Sequence, residues 1–303
     1  MQPIVVNNIS KSYGNVQALR DISFAVEPGE LFGLIGPDGA GKSTLFRILT
    51  TLVLADKGNT FVNGMDVVKD YRAIRRQVGY MPGKFSLYQD LTVEENLHFF
   101  ATIFNTTVKA NYDMIRDIYE QIAPFKDRQA GKLSGGMKQK LALSCALVHR
   151  PAVLFLDEPT TGVDPVSRKE FWEMLQRLRE KGMPILVSTP YMDEATLCDR
   201  VALIQHGAFM QIDKPQHIVD NFQTKIWAFR AANTFRLIRD LRAHPGVTSC
   251  FAFGEYLHVV LTTDPASVKI DLQAHHPDIT YKPAQAGIED VFMALMQAQT
   301  ETS

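Results

Sequence analysis

A glycine-rich stretch between an apolar run and a helical run constrains the fold of this chain more than any other feature. The sequence GPDGAGKST, residues 36–44, follows the run LFGLI and opens the run KSTLFRILTTL. It fits the pattern G-x-x-x-x-G-K-[ST] in the strand–loop–helix context that the pattern requires. Glycines let backbone N–H groups turn inward around phosphate oxygens, and the helix start adds its positive dipole end. The stretch therefore predicts a phosphate-binding loop.

The residues of this loop have separate predicted roles. Lys42 is expected to reach the β- and γ-phosphates, and the Ser43 hydroxyl to be a ligand of Mg²⁺. The alternative is a glycine-rich turn that matches by chance, and the flanking strand and helix argue against it. The predicted binding set is Gly36, Pro37, Asp38, Gly39, Ala40, Gly41, Lys42, Ser43 and Thr44.

Two adjacent acids, Asp157 and Glu158, end a second apolar run, VLFLDEP at residues 153–159. Acids at the end of a buried strand are costly unless they meet a cation or a polar substrate. Asp157 is expected to hold Mg²⁺ through water, and Glu158 to orient and deprotonate an attacking water. Alone, Asp157 could be a helix cap. Beside a phosphate loop, Glu158 and Lys42 are the predicted catalytic residues.

Two short motifs accompany the acid pair. LSGGMKQK puts Ser134, Gly135 and Gly136 at the mouth of a helix, where a bound anion is favoured. TTGVDP places Asp164 for N-capping and Pro165 at the first helical position. In this order, the loop, the Ser-Gly-Gly motif, the acid pair and the Asp turn resemble the ABC ATPase family over roughly the first 220 residues.

The resemblance implies ATP, Mg²⁺ and a dimer. In this family two domains close head to tail, and each ATP lies between the phosphate loop of one and the serine-glycine signature of the other. Ser134, Gly135 and Gly136 would then serve the nucleotide of the partner. The resemblance also implies that Tyr13, in KSYGNVQAL, stacks on the adenine and that Asp164 belongs to the nucleotide-binding set.

Two positions depart from the family pattern. Where the family has a histidine that contacts the γ-phosphate, this chain has Pro190, and where it has a glutamine that reaches the metal, Gly83 stands here. Neither residue offers a side-chain donor or acceptor. Losing such a donor can lower a rate on the order of a hundredfold. We expect binding and closure with slow turnover, unless Thr189 or Lys84 contacts the phosphate or a non-identical partner carries an intact set.

The pattern of segments predicts an α/β fold. LFGLI and VLFLD are typical of strands buried on both faces of a parallel sheet, and ISFAV alternates like a half-covered strand. Helical spacing alone between Thr92 and Arg150 indicates a helical subdomain at about residues 84–150. ALIQHGAFMQID predicts two short strands with His206 in the turn.

A second, smaller domain is predicted after the nucleotide-binding domain, residues 1–223. In residues 224–303 the order β-α-β-β-α-β indicates a ferredoxin-like α+β unit that ends in the helix IEDVFMALM. It shows no catalytic constellation. His275 and His276 are expected at a solvated helix end.

Composition excludes several classes of protein. Thirty-two basic against 33 acidic residues give a net charge of −1, which argues against a nucleic-acid partner. The first residues lack the zones of a signal peptide, and no apolar stretch approaches the ~20 residues of a membrane helix. Three cysteines without metal-ligand spacing suit a reducing compartment. We expect a cytoplasmic chain, peripheral on the inner face of the plasma membrane through a separate permease.

Within the family, the features favour a transporter subunit. The chain has one nucleotide domain, and its C-terminal unit resembles the accessory domain of drug, polysaccharide and multidrug export ATPases. FSLYQDLTVEENLHFF, residues 85–100, resembles the segment that receives the coupling helices of a permease. We predict the ATP-binding and hydrolysing subunit of an ABC exporter, as a homodimer or heterodimer. The alternatives are a regulatory ATP-binding module with little turnover and a soluble ABC protein that acts on ribosomes or DNA.

Overall fold

The structure is a computed structural model that describes residues 1–83 and 87–301. The chain divides into two compact units, Met1–Pro215 and Gln216–Ser303. The sequence interpretation placed the boundary at residue 223 instead. A short helix, Pro215–Asp220, begins at the division, and the next strand starts only at Ile226.

Strands and helices alternate along the first unit. Its strands are β1 (Ile4–Tyr13), β2 (Val16–Val26), β3 (Leu31–Ile35), β4 (Lys57–Val62), β5 (Met65–Asp66), β6 (Val78–Met81), β7 (Val153–Asp157), β8 (Ile185–Thr189), β9 (Arg200–Gln205) and β10 (Ala208–Asp213). Its α-helices are α1 (Lys42–Leu49), α2 (Tyr71–Gln77), α3 (Val93–Ile103), α4 (Tyr112–Tyr119), α5 (Gly135–Leu147) and α6 (Pro165–Glu180), and the short helix α7 (Pro215–Asp220) begins at the division between the units. Short 3-10 helices span Lys109–Asn111, Ala123–Phe125, Ala130–Lys132 and Met192–Leu197.

The central sheet of this unit is mostly parallel, and its inner strands are apolar on both faces. Its order is β10-β9-β3-β8-β7-β6, and only the β9–β10 pair is antiparallel. Every residue of β3 and β7 is buried, as their apolar runs predicted, and so is every residue of β8. The carboxyl ends of parallel strands lie at one edge of a sheet. This order therefore brings the glycine-rich loop after β3 and the acid pair after β7 to the same edge, separated by β8.

A second sheet, of order β2-β1-β4-β5, is antiparallel. In β2 the side chains of Ile22 and Phe24 are buried and Ser23 is exposed, which confirms the alternation predicted for ISFAV. Apolar residues of this sheet share one core with α1 and the central sheet. In that core, Phe46 of α1 packs edge-on against Phe155 of β7, with ring centroids 6.2 Å apart. The helix that follows the glycine-rich loop is thereby fixed to the strand that carries the acid pair.

Residues 92–150, all of which the structure describes, form helices and no strand, as predicted. Helix α3 begins with a capping box: the Thr92 hydroxyl accepts a hydrogen bond from the Glu95 N–H, and the Glu95 carboxylate accepts one from the Thr92 N–H. Lys84 to Ser86, at the start of the predicted helical subdomain, lie outside the described residues.

The second unit has the element order β-α-β-β-α-β that the sequence predicted. Its elements are β11 (Ile226–Arg230), α8 (Thr234–Ala243), β12 (Val247–Phe253), β13 (Tyr256–Leu261), α9 (Pro265–Leu272), β14 (Thr280–Ala284) and α10 (Ile288–Glu301). The sheet is antiparallel with the order β12-β13-β11-β14, and Phe229, Leu237 and Leu257 lie in its core. Neither α10 nor any other helix in the described part of the chain is long and apolar enough to cross a membrane.

The prediction for the histidine pair of this unit is right for His275 and wrong for His276. His275 is exposed, whereas His276 is 2% exposed and its Nε2 lies 3.0 Å from Oδ2 of Asp240. Helix α9 ends at Leu272, so the chain turns inward before it reaches His276. The hydrogen bond to His276 holds the pKa of Asp240 below its usual range.

Candidate nucleotide-binding site

The glycine-rich loop makes a tight turn between β3 and α1. Gly39 and Gly41 have backbone φ angles of 80° and 109°, in the region that favours glycine. A Cβ atom on Gly41 would lie 2.4 Å from the carbonyl oxygen of Ala18 in β2. Helix α1 begins at Lys42, so the positive end of its dipole lies at the loop. The loop therefore needs glycine for its backbone angles and for its close approach to β2.

Lys42 joins the loop to the acid pair. Its side chain is almost fully buried, and its Nζ donates to the carbonyl oxygens of Gly36 and Pro37, at 2.7 and 3.0 Å. The same Nζ lies 3.0 Å from Oε1 of Glu158. The two residues predicted to be catalytic, far apart in sequence, thus form an ion pair.

Strand β8 holds the acid pair in place. The Ser188 hydroxyl donates to Oδ1 of the buried Asp157 at 2.7 Å. Glu158 has a φ of 51°, which is uncommon for a residue other than glycine. Its N–H lies 3.0 Å from Oγ and 3.1 Å from the carbonyl oxygen of Ser188. On β6, the neighbour of β7, burial and then the Asp157 carboxylate raise the pKa of Tyr80 to about 12.

A cleft of about 450 Å³ opens at the loop. The predicted residues that line it are Gly39, Gly41, Lys42, Ser43, Thr44 and Glu158. It is also lined by residues that were not predicted: Asn15, Val16, Gln17, Ala18, Arg20 and His206. The first five follow the Tyr13-Gly14 turn, and that adjacency was the one signal for them in the sequence. His206 lies in the β9–β10 turn, as predicted, and its place in the cleft follows only from the pairing of β9 with β3.

Tyr13 is not among the described residues that line the cleft. It ends β1 with 46% of its surface exposed, and the Nζ of Lys11 lies 5.5 Å from its ring centroid. Among the predicted residues of the loop and the acid pair, those absent from the described lining are Gly36, Pro37, Asp38, Ala40 and Asp157. They belong to the same loop and strand end, where Gly36, Ala40 and Asp157 are buried.

Ser134 and Asp164 both cap helices. The Ser134 hydroxyl accepts from the Met137 N–H at the start of α5, and the Asp164 carboxylate from the Ser167 N–H at the start of α6. The latter bond lowers the pKa of Asp164. A Cβ atom on Gly136 would lie 2.3 Å from the Ser167 hydroxyl, so the two helix starts lie side by side. Ser134 and Gly135 are exposed, and in the described structure neither lines the cleft.

The two positions that depart from the family pattern lie at this same edge of the sheet. An added Cβ atom on Gly83 would lie 3.1 Å from the carbonyl oxygen of Asp157 and 3.8 Å from its Oδ2. Pro190 directly follows β8. Thr189, which was considered as a stand-in for the missing histidine, is fully buried, and its hydroxyl donates to Glu194. The other stand-in considered, Lys84, lies outside the described residues.

Gly41→Ala is expected to lower both the melting temperature and the affinity for a fluorescent ATP analogue, the latter tenfold or more, because the added methyl meets the Ala18 carbonyl. Gly39→Ala is the matched control: it also has a positive φ, but its Cβ would meet no atom within 4 Å. Thermal unfolding and fluorescence titration measure both effects. Equal losses in the two variants would refute the close-approach argument.

Comparison with known proteins places the chain in a family. The family profile described as ABC transporter matches residues 19–161. The probable multidrug ABC transporter ATP-binding protein YbhF of Escherichia coli (strain K12) is 36% identical over 299 residues, which are 97% of this chain and 52% of YbhF. This chain thus spans about half the length of YbhF. The Nod factor export ATP-binding protein I of Rhizobium sp. (strain N33) is 34% identical over 297 residues, covering 97% of this chain and 96% of that protein.

Solved structures show the same fold. A structure described as the ATP binding subunit of an ABC transporter superposes with a TM-score of 0.65 at 28% identity, covering 72% of this chain and 92% of that one. The dimeric cassette MJ0796 gives a TM-score of 0.63 at 23% identity, covering 70% and 98% of the two chains. The predicted ABC-type α/β fold is therefore confirmed. With the relative of equal length, these matches show that the chain belongs to the family of ABC transporter ATP-binding proteins.

Proposed function

We propose that this chain is the ATP-binding and ATP-hydrolysing subunit of an ABC exporter and that it drives a separate membrane permease. The observation that carries the proposal is the ion pair between Lys42 of the loop and Glu158 of the acid pair, 3.0 Å long, at the wall of the cleft. It puts a phosphate-binding cation next to a candidate general base. The names of the relatives, which include multidrug and Nod factor export, support the exporter class.

In this proposal ATP occupies the cleft of the loop. The backbone of residues 36–44 and the N-terminus of α1 bind the phosphates, and Lys42 exchanges part of its pairing with Glu158 for phosphate oxygens. Glu158, released from that pairing, orients the attacking water and accepts its proton. Tyr13, at the end of β1, is the candidate for contact with the adenine.

The donor set also fits Mg²⁺. Ser43 lines the cleft, and Asp157 is a buried carboxylate at the same sheet edge, so both supply the oxygen ligands that this ion prefers. Bound there, Mg²⁺ would neutralise charge on the β- and γ-phosphates. Ser188, which donates to Asp157, orients that carboxylate.

The exposed helix start at Ser134 supports the proposed head-to-tail dimer. Ser134 and Gly135 lie at the positive end of α5 and do not line this chain's own cleft in the described structure. We propose that Ser134, Gly135 and Gly136 bind the nucleotide of a second ATPase domain, and that Asp164 holds the adjoining turn at the dimer interface. The second domain is either another copy or a non-identical subunit.

A groove of about 250 Å³ is the proposed contact with the permease. It lies between the helical subdomain and the central sheet, and it is lined by Phe100, Phe104, Tyr80 and Leu52. Leu52 is 56% exposed, so the groove presents a large apolar side chain that the permease could cover. The permease would hold the chain at the inner face of the membrane.

Glu158→Gln is expected to lower the rate of ATP hydrolysis a hundredfold or more while ATP binding persists, because the amide cannot accept the proton. Phosphate release and ATP titration measure the two quantities, and the exposed Glu173→Gln on α6 is the matched control. An unchanged rate in Glu158→Gln, or the same loss in the control, would exclude Glu158 as the base.

The double variant Gly83→Gln with Pro190→His is expected to raise the rate of ATP hydrolysis tenfold or more, because it restores two polar groups beside the acid pair. The control is Gly83→Ala with Pro190→Ala, which changes the backbone in the same places and adds no polar group. If both double variants keep the original rate, these two positions do not limit turnover.

Tagged protein purified from its native membrane is expected to co-elute with a polytopic membrane protein and to carry two ATPase domains per assembly. Mass spectrometry identifies and counts the chains. Leu52→Asp, in the groove, should abolish the co-elution, whereas Ile270→Asp, at an exposed position outside the groove, should not. Recovery of the chain from the soluble fraction alone would contradict the exporter proposal.

A further inference from the structure

A buried carboxylate, Glu194, is bonded to the segment that follows the acid pair. Glu194, in the 3-10 helix Met192–Leu197, is 1% exposed. Its Oε1 accepts from the Thr160 hydroxyl at 2.8 Å and from Nε of Arg168 at 3.1 Å. Its Oε2 accepts from the Thr189 hydroxyl. Three separate segments of the first unit therefore meet at this one side chain.

The first of these segments carries the candidate base. Thr160 lies two residues after Glu158, and the Thr161 N–H donates back to the Glu158 carbonyl oxygen at 3.3 Å. Glu158 itself has the unfavourable left-handed backbone. Such a conformation persists only where surrounding contacts over-determine it. Before the turn, Ser188 accepts a hydrogen bond from the Glu158 N–H. After the turn, Glu194 accepts one from the Thr160 hydroxyl.

A carboxylate suits this place better than any neutral side chain. Two carboxylate oxygens accept all three donors, whereas an amide has one acceptor oxygen. Arg168 compensates the buried negative charge, as a carboxylate in the interior requires. Asp193, next to Glu194, also pairs with Arg168 but is exposed and contacts neither threonine in the described structure.

We infer that Glu194 is a positioning residue for ATP hydrolysis: through Thr160 it fixes the backbone turn that aims Glu158 at the attacking water. The inference rests on the proposed function, in which Glu158 is the general base. Glu194 contacts no described residue of the cleft lining, so its effect should fall on the chemical step and spare ATP binding. A misaimed base can cost a large part of the rate even when substrate binds normally.

Thr160→Val tests the link with little change in volume. It is expected to lower kcat about tenfold and to change the KM and dissociation constant for ATP less than twofold. Thr160→Ser keeps the hydroxyl and should retain the rate. Asp193→Asn, which perturbs Arg168 from the exposed side, is the matched control and should hydrolyse ATP normally. Phosphate release gives kcat and KM, and fluorescence titration gives the dissociation constant.

Two double variants separate positioning from general stability. In a Glu158→Gln background, Thr160→Val should cause no further loss of the residual rate, because the base that it positions is gone. In a Glu194→Ala background it should again add nothing. Additive losses, or a Thr160→Val enzyme with unchanged kcat, would overturn the inference. If Glu158→Gln itself hydrolyses ATP normally, the proposed function fails instead, so the two failures are distinct.

Discussion

The parallel pairing of β3, β8 and β7 is the constraint on which the candidate site depends. It aligns three strand ends at one edge of the sheet, with the glycine-rich loop at one end of the row, the acid pair at the other and Ser188 between them. An ammonium and a carboxylate from distant parts of the chain then meet at 3.0 Å. Such a pair in a nearly buried place needs its remaining hydrogen bonds satisfied, and the loop carbonyl oxygens do this for Lys42.

The site stores backbone strain at Glu158. A non-glycine residue in a sparsely populated region costs about 1–3 kcal/mol, which the surroundings must supply. Here nearby hydrogen bonds offset that cost. The Glu158 N–H donates to Ser188, and the Thr160 hydroxyl, in the following turn, donates to Glu194. The apolar core of β7 and β8 beneath it provides the rigid base. At the end of β8, Pro190 adds no polar side-chain group, and the Thr189 hydroxyl donates to the Glu194 carboxylate.

Many of these parts were predictable because their signals are local. The glycine-rich loop between a strand and a helix, the cap at Asp164, and the buried runs of β3 and β7 each depend on residues close together in the chain. His276 was mispredicted for the opposite reason. Its partner Asp240 lies on α8, 36 residues earlier in the chain, and no short-range pattern indicates such a buried pair. The bond between the Thr189 hydroxyl and Glu194 was likewise not predicted.

The sequence by itself determined the family, the α/β class and the identity of the loop, because spacing fixes which groups a strand end and a helix start can present. Only the tertiary structure decided that Val16 and Gln17 line the cleft, that Gly83 lies against Asp157, and that Glu194 joins three segments. These contacts join residues distant in sequence. These contacts depend on strand order and on how closely backbones approach each other, and no single stretch of the chain determines either.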